Sequence, residues 1–277
     1  MAFISVLGQE QPKKILANAL QNNCVAHAYL FYGQESVGKK RLALSLAKVL
    51  NCKGTIPFDS CDKCDSCLKT ERFLHPDLFL IRPVKNTTTA REAAIKVETI
   101  RELQKKLTYM PYGGGKKVVI IESAELMNLQ ASNAFLKTLE EPPENTVLIL
   151  ISSNPHRLLP TIISRCQGIL FHSLSISNVK EIVNNQLKES ESTITESELN
   201  FRIQRSEGSI SNVLAEDFKE LEVIREQALE VLENVSFDRM DIIFGFAKSW
   251  SKQTEQLQLV LKEFSELIRE MALHRSG

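Results

Sequence analysis

A glycine-rich motif near the amino terminus constrains the fold more than any other part of the sequence. Residues 33–40 read GQESVGKK and fit the pattern G-x-x-x-x-G-K-[ST] at every defined position except the last. The apolar and aromatic run before it, residues 28–32, is typical of a buried strand, and residues 41–50 have helical periodicity. Strand, glycine loop and helix in this order predict a phosphate-binding loop.

The candidate phosphate ligands are the backbone N–H groups of this loop, which Gly33 and Gly38 shape, and the side chain of Lys39. The ammonium group of Lys39 would reach the β and γ oxygens of a nucleotide. Lys40, however, stands where a Ser or Thr hydroxyl usually holds Mg²⁺. The sequence therefore predicts an intact phosphate cradle with a defective metal site, and it leaves open whether a nucleotide binds.

A second departure follows the β-branched run at residues 118–121, which is typical of a buried parallel strand. Such a strand usually ends in Asp-Glu in a P-loop NTPase, with one carboxylate for the Mg²⁺ shell and one to activate water. Here it ends in Glu122 and Ser123, and a serine cannot act as the base. Residues 152–154, Ser-Ser-Asn, end a later strand and either sense a γ-phosphate or only turn the chain.

Four of the six cysteines form a cluster in the sequence, C-x8-C-x2-C-x2-C, made of Cys52, Cys61, Cys64 and Cys67. Four soft thiolate ligands at this spacing suit tetrahedral Zn²⁺, and the absence of an open position favours a structural site. A thioredoxin-like redox role is the weaker alternative, because that motif uses one C-x-x-C that opens a helix. Cys24 lies outside the cluster and is expected to be a small buried hydrophobe.

Charge and hydropathy exclude several classes of protein. The 277 residues contain 34 Lys+Arg and 34 Asp+Glu, so the net charge is zero, which argues against a chain that binds nucleic acid alone. No apolar run approaches the roughly 20 residues of a membrane span, and the amino terminus lacks the pattern of a signal peptide. We therefore expect a cytoplasmic protein without a membrane partner.

The order of elements predicts the fold class. Strands and helices alternate over residues 28–171, which predicts an α/β fold with a parallel, doubly wound sheet. From residue 173 only helical patterns follow. We expect a P-loop domain at 1–172 that carries the cysteine insert 52–67, a helical lid at 173–215, and an incomplete all-α domain at 216–277.

Several runs point to one protein family. They are VLGQ at 6–9, HAYLF at 27–31, AFLKTLEEPP at 134–143 and SRC at 164–166, together with the four-cysteine insert. These residues resemble the clamp-loader branch of the AAA+ family, and within it the delta-prime-type subunits of bacterial DNA polymerase III. The similarity is continuous over residues 6–171, continues weakly through the lid and fades beyond it.

This resemblance implies a function. It implies a non-motor member of a hetero-pentameric ring, which loads the sliding clamp on primed DNA with gamma/tau-like and delta-like partner subunits. It also implies that Arg165 acts as an arginine finger on the ATP of a neighbouring subunit. The chain itself would have no polymerase activity and negligible ATPase, because the lid arginine of the motor pattern Gly-Ser-x-Arg is replaced by Ser211.

Two other functions stay open at this point. One is an ATP-hydrolysing motor similar to gamma/tau, with a non-standard metal shell. The other is a zinc-based DNA-binding module, against which the zero net charge and an expected scarcity of exposed aromatic side chains argue.

Overall fold

A computed structural model describes residues 3, 6–54, 56, 58–84, 93–190, 196–214 and 218–234, with single positions from 245 to 272. The chain divides into two compact units, Met1–Val213 and Leu214–Gly277. The domain boundaries expected after residues 172 and 215 stay predictions.

The first unit is built around a five-stranded sheet in which every neighbouring pair of strands is parallel. Its strands are β1 (Ala28–Gly33), β2 (Leu78–Ile81), β3 (Lys117–Ile121), β4 (Thr146–Ser152) and β5 (Gln167–Phe171). Their order across the sheet is β2-β3-β4-β1-β5. Parallel strands must be joined by crossover connections, and most of the connections in this sheet contain helices. The predicted parallel α/β fold is therefore confirmed.

Helices cover both faces of this sheet. They are α1 (Glu10–Gln21), α2 (Lys39–Asn51), α3 (Asp65–Glu71), α4 (Val97–Leu107), α5 (Leu129–Glu140) and α6 (Pro160–Ile163). Alternate residues of β1 face opposite sides, as the period of a strand requires. Tyr29 and Phe31 join the core on the α2 side, whereas Ala28 and Leu30 join the core with α4 and α5. Two apolar cores therefore enclose the sheet.

Three helices follow the sheet in sequence: α7 (Ile176–Ser190), α8 (Glu196–Arg205) and α9 (Ile210–Leu214). Their buried apolar side chains belong to the same core as the α2 side of the sheet, including Val179, Val183, Leu199, Ile203 and Val213. The sequence pattern Thr195-x-x-Glu198 predicts a capping box for α8, but Thr195 lies outside the described residues. The absence of further strands in the described part of this region agrees with the sequence pattern.

The second unit contains α10 (Phe218–Asn234), where Ile224, Ala228 and Val231 are buried at helical spacing. The sequence also predicts an amphipathic helix from the spacing of Leu257, Leu261, Phe264, Ile268 and Met271, but most of residues 257–271 lie outside the described residues. Within the part of the chain that the structure describes, none of the helices combines the length and apolarity needed to cross a membrane.

Two expectations about exposure are wrong. Cys24 is exposed instead of buried, because it lies in the connection between α1 and β1. Aromatic side chains are also less buried than expected, since Tyr109 and Tyr112 in the loop after α4 are 76% and 89% exposed. The sequence pattern therefore predicts helices and strands better than it predicts the exposure of side chains in the connecting loops.

Candidate functional site

The glycine loop lies at the carboxyl end of β1, where open α/β sheets bind ligands. Gly33 ends the strand with a φ of 134°, and a Cβ atom there would approach the carbonyl oxygen of Phe171 to 2.2 Å. Gly38, at a φ of 99°, is the N-cap of α2, and no side chain caps that helix. Both glycines are therefore needed for the backbone to turn away from the strand and to direct the start of α2 toward a ligand.

Lys39 is the first residue of α2 and only 6% exposed. Its ammonium group donates to the carbonyl oxygen of Gly33 at 2.6 Å and to that of Gln34. Burial lowers the pKa of Lys39 to about 8, although the carboxylates of Glu35 and Glu125 partly oppose this change. The lysine therefore binds its own loop, and a phosphate ligand would have to replace those carbonyl contacts.

Lys40 makes an ion pair with the carboxylate expected in the metal shell. Its Nζ lies 2.8 Å from Oε1 of Glu122, and Nε of Arg82 lies 3.3 Å from the same oxygen. Nζ of Lys40 also lies 5.2 Å from the ring centroid of Phe73. The residues of this position do not fit Mg²⁺, because the hydroxyl ligand is missing and the carboxylate is neutralised by two cations.

Glu125 is a site residue that the sequence analysis missed. Its Oε1 accepts hydrogen bonds from the backbone N–H of Ser153 at 3.1 Å and from its hydroxyl at 2.7 Å, while Oε2 is buried without a hydrogen-bond partner. Ser153 also approaches Glu35, with its Oγ 3.4 Å from Oε1. The short 3₁₀ turn Ala124–Leu126 brings Glu125 to this place, and no periodicity in the sequence predicts that turn.

The helical segment after the sheet contacts the glycine loop directly. The backbone N–H of Ile210 donates to the carbonyl oxygen of Ser36 at 3.3 Å. Ser211, which replaces the motor-type arginine, is exposed, and its hydroxyl lies 3.0 Å from that of Ser209. This position therefore offers the loop no cation.

Gln9 joins the amino-terminal segment to the loop and to the end of β5. Its amide nitrogen donates to the carbonyl oxygens of Val37 at 3.1 Å and His172 at 2.6 Å, and its amide oxygen accepts from the N–H of His172 at 3.2 Å. The side chain is 8% exposed, so these three bonds also satisfy a buried amide. The resemblance run at residues 6–9 thus has a direct structural role.

These elements enclose a cleft of about 1210 Å³. Lys39, Lys40, Glu122 and Ser153 line it, as do apolar side chains, among them Val6, Leu7, Leu174, Ile182 and Ile210. Its volume is sufficient for a nucleotide. The loop and the carboxylate after β3, predicted separately, therefore meet in one cleft.

The four predicted zinc ligands also come together. The sulfur atoms of Cys52, Cys61, Cys64 and Cys67 all lie within 4.8 Å of one another. Zn–S bonds of about 2.3 Å in a tetrahedron require sulfur atoms about 3.8 Å apart, so the cluster fits the metal. Backbone N–H groups already point at the sulfurs, with the N–H of Cys61 3.2 Å from Cys52 and that of Cys67 3.4 Å from Cys64.

The environment of Cys64 favours a thiolate. Burial raises the pKa of this thiol, but backbone hydrogen bonds with Cys67 and Lys53 and the neighbouring thiols outweigh burial and lower the pKa to about 6. Burial raises the pKa of Cys67 instead. A bound cation would favour the ionised form of all four thiols, since metals bind thiolates.

The cysteine insert is attached to the phosphate-loop helix. On α2, Lys48 pairs with Asp62 at 3.1 Å and with Glu71. Ser66 donates its hydroxyl to the carbonyl oxygen of Asn51 at 2.6 Å, at the end of the same helix. Asp62 of the insert and Glu71 at the end of α3 also line the cleft, so the insert and α3 form part of its wall.

Arg165 lies two residues after the end of α6 and is absent from the described residues that line the cleft. One guanidinium nitrogen is 2.9 Å from Oε1 of Glu140, and another donates to the carbonyl oxygen of Thr161 at 3.0 Å. The side chain is 36% exposed, and Glu140 is 49% exposed. An ion pair this accessible contributes about 0–1 kcal/mol, so Arg165 can exchange its partner at little cost.

Comparison with known proteins decides the family. A family model described as DNA polymerase III, delta subunit, matches residues 8–175, which is more than half of the chain. The chain belongs to this DNA polymerase III clamp-loader family. The match covers the sheet, the glycine loop, the cysteine insert and Arg165, and it ends just before α7.

Individual relatives include both delta' and tau subunits. The chain is 44% identical over 141 residues to DNA polymerase III subunit delta' of Pseudomonas aeruginosa, covering 51% of the chain and 42% of the relative. It is 37% identical over 179 residues to subunit delta' of Bacillus subtilis, covering 63% and 51%. It is also 34% identical over 213 residues to subunit tau of Escherichia coli, covering 77% and 32%. The chain thus spans about half or less of each relative.

Proposed function

We propose that this clamp-loader family member is a delta-prime-like, non-motor subunit of the DNA polymerase III holoenzyme. The observation that carries the proposal is the 2.8 Å ion pair between Lys40 and Glu122. It places a fixed cation where hydrolysis requires Mg²⁺, and Ser123 supplies no base. The chain would therefore act in a hetero-pentameric ring with gamma/tau-like and delta-like subunits, which provide the ATP hydrolysis.

The contribution of this chain to the reaction would be Arg165. Its guanidinium group is planar and permanently charged, and it would leave Glu140 to bind the γ-phosphate of ATP in a neighbouring subunit. That ATP drives the loading of the sliding clamp on primed DNA, so the chain would reach clamp and DNA through the complex. The net charge of zero is consistent with a chain that does not bind DNA alone.

A gamma/tau-like motor is the second candidate, and the 34% identity to subunit tau over 213 residues is the observation that favours it. The delta-prime-like assignment is supported by the three replacements Lys40, Ser123 and Ser211 at positions that serve hydrolysis. Each replacement removes a different function: metal binding, water activation and charge neutralisation.

The test of this function is a reconstituted complex that contains Arg165→Ala. We expect the variant to assemble, and the DNA-stimulated ATPase and clamp loading of the complex to fall at least about tenfold, since arginine fingers contribute roughly 10³–10⁵ in rate in well-studied GTPases. Arg165→Lys should restore little. Arg157→Ala, an exposed arginine eight residues earlier, is the matched control and should retain full activity. Full activity of the Arg165→Ala complex would show that Arg165 is only a surface ion pair.

We also assign a structural Zn²⁺ to the four cysteines. When bound, the ion would supply cross-linking of the insert and no catalysis, because all four positions of a tetrahedral site are taken by protein ligands. Lys48 and Ser66 would then hold the cross-linked insert against α2.

A further inference from the structure

The cleft contains a built-in cation at the place of a metal ion. Lys40 follows the phosphate-loop lysine directly, and its Nζ lies 2.8 Å from Glu122, at the end of β3. Arg82 approaches the same carboxylate oxygen at 3.3 Å. The ring of Phe73 lies 5.2 Å from Nζ of Lys40 and 5.9 Å from the guanidinium carbon of Arg82. Glu122 and Phe73 therefore hold the ammonium group of Lys40 at the edge of the cleft, and Arg82 contacts both of these residues.

This arrangement disfavours a divalent cation. Mg²⁺ needs near-octahedral oxygen ligands, and here it would lose both the hydroxyl and a free carboxylate. It would also lie beside an ammonium group, and like charges in contact repel strongly in a partly buried site. The lysine, in contrast, brings three donors that can bind phosphate oxygens without any metal.

Two carboxylates near Lys39 would favour a diphosphate over a triphosphate. The carboxylates of Glu35 and Glu125 both act on Lys39, and both contact the hydroxyl of Ser153, at 3.4 and 2.7 Å. A γ-phosphate bound by Lys39 would approach these carboxylates without Mg²⁺ to neutralise it. A diphosphate carries less charge and one phosphate fewer, so it avoids most of this repulsion.

We propose that the cleft binds a nucleoside diphosphate without magnesium, with the ammonium group of Lys40 in place of the metal ion. The apolar side chains of Val6, Ile182 and Ile210 line the same cleft and provide contacts for a base. This binding would require neither Arg165 nor the ring, since the cleft lies within this chain alone.

The experiment is calorimetric titration of the full chain with ADP and with ATP, with MgCl₂ or in buffer freed of divalent cations by a chelating resin. The zinc content is measured in each sample, because a soluble chelator would also remove ions from the cysteine cluster. We expect the affinity for ADP to be the same with and without Mg²⁺, within about twofold. In the absence of Mg²⁺, ATP should bind at least about fivefold more weakly than ADP.

Lys40→Thr restores the usual hydroxyl and provides the decisive comparison. Without Mg²⁺ it should bind ADP about tenfold more weakly than the unaltered chain, because it loses a charge-assisted contact to phosphate, and Mg²⁺ should recover the affinity. Lys69→Thr is the control, since it removes another lysine–carboxylate pair, 2.7 Å from Asp65, outside the cleft. It should bind ADP as the unaltered chain does.

Three results would overturn the proposal. The first is no measurable binding of ADP to the unaltered chain. The second is binding that requires Mg²⁺, and the third is a Lys40→Thr variant whose affinity is independent of Mg²⁺ and equal to that of the unaltered chain.

Glu122→Gln tests the same idea independently, because it frees Lys40 from its ion pair and should tighten ADP binding without Mg²⁺.

Discussion

Lys39 combines burial with a positive charge. Burial lowers its pKa from an ordinary value of 10.5 to about 8, and the nearby carboxylates only partly offset this effect. Because the folded pKa lies below the unfolded one, the unfolded chain retains the proton between these two values. Lys39 should therefore make the free energy of unfolding of the ligand-free chain increase as the pH rises between these two pKa values.

Ligand binding should show the opposite dependence on pH. Phosphate favours the charged form of Lys39, so ADP affinity should fall as the pH rises from about 7 to about 9, by about tenfold at the upper end. Titration calorimetry at several pH values measures this change. Lys39→Met should bind weakly and show no such dependence. An ADP affinity of the unaltered chain that is constant through about pH 9 would contradict the assignment of Lys39 as the phosphate ligand.

The sequence predicted the residues of the cleft better than it predicted their contacts. Lys40 and Glu122 were identified as two separate departures from an ATPase pattern, and their contact depends on the strand order, in which β4 separates β3 from β1. Periodicity does not give that order. Glu125 was missed for a related reason, because a three-residue turn and not a regular element places it beside Ser153.

Among the elements, the long amphipathic ones were predicted most accurately. The sequence spacing of Val97, Ile100, Leu103 and Leu107 predicts an amphipathic helix, and these residues form the buried face of α4. Helix α3, in contrast, begins where turn-forming residues surround the cysteines in the sequence. It has seven residues, and its start is fixed by the N–H of Cys67 bonding to the sulfur of Cys64. Such a short helix depends on these contacts and not on propensity.

The cysteine insert should contain a bound metal ion. One Zn²⁺ per chain should be found by metal analysis of protein purified without chelator. Cys64→Ser should lose it and melt at a lower temperature, because a structural zinc site contributes folding free energy. Cys24→Ser changes an exposed cysteine outside the cluster and should keep both zinc and melting temperature. Undiminished zinc in Cys64→Ser would disprove the ligand set.

Under the proposed function, the nucleotide cleft and the arginine finger lie in separate regions of the molecule. Its cleft retains the glycine loop and Lys39 but pairs Lys40 with Glu122, whereas Arg165 lies on another surface, close to α6. The two regions are connected through the sheet, since β1 leads into the loop and β4 precedes the segment that carries Arg165. If the proposed function holds, this sheet would keep Arg165 in place for a neighbouring subunit without any ATP hydrolysis by this chain.

The isolated chain should hydrolyse ATP no faster than the background, since the metal ligand, the base and the lid arginine are replaced by Lys40, Ser123 and Ser211. A steady-state phosphate-release assay with Mg²⁺ measures the turnover, and Lys39→Ala serves as the baseline. The single change Lys40→Thr should not create activity, because Ser123 still cannot activate water. Turnover in the range of about 1 s⁻¹ or more that Lys39→Ala abolishes would identify the chain as a motor subunit.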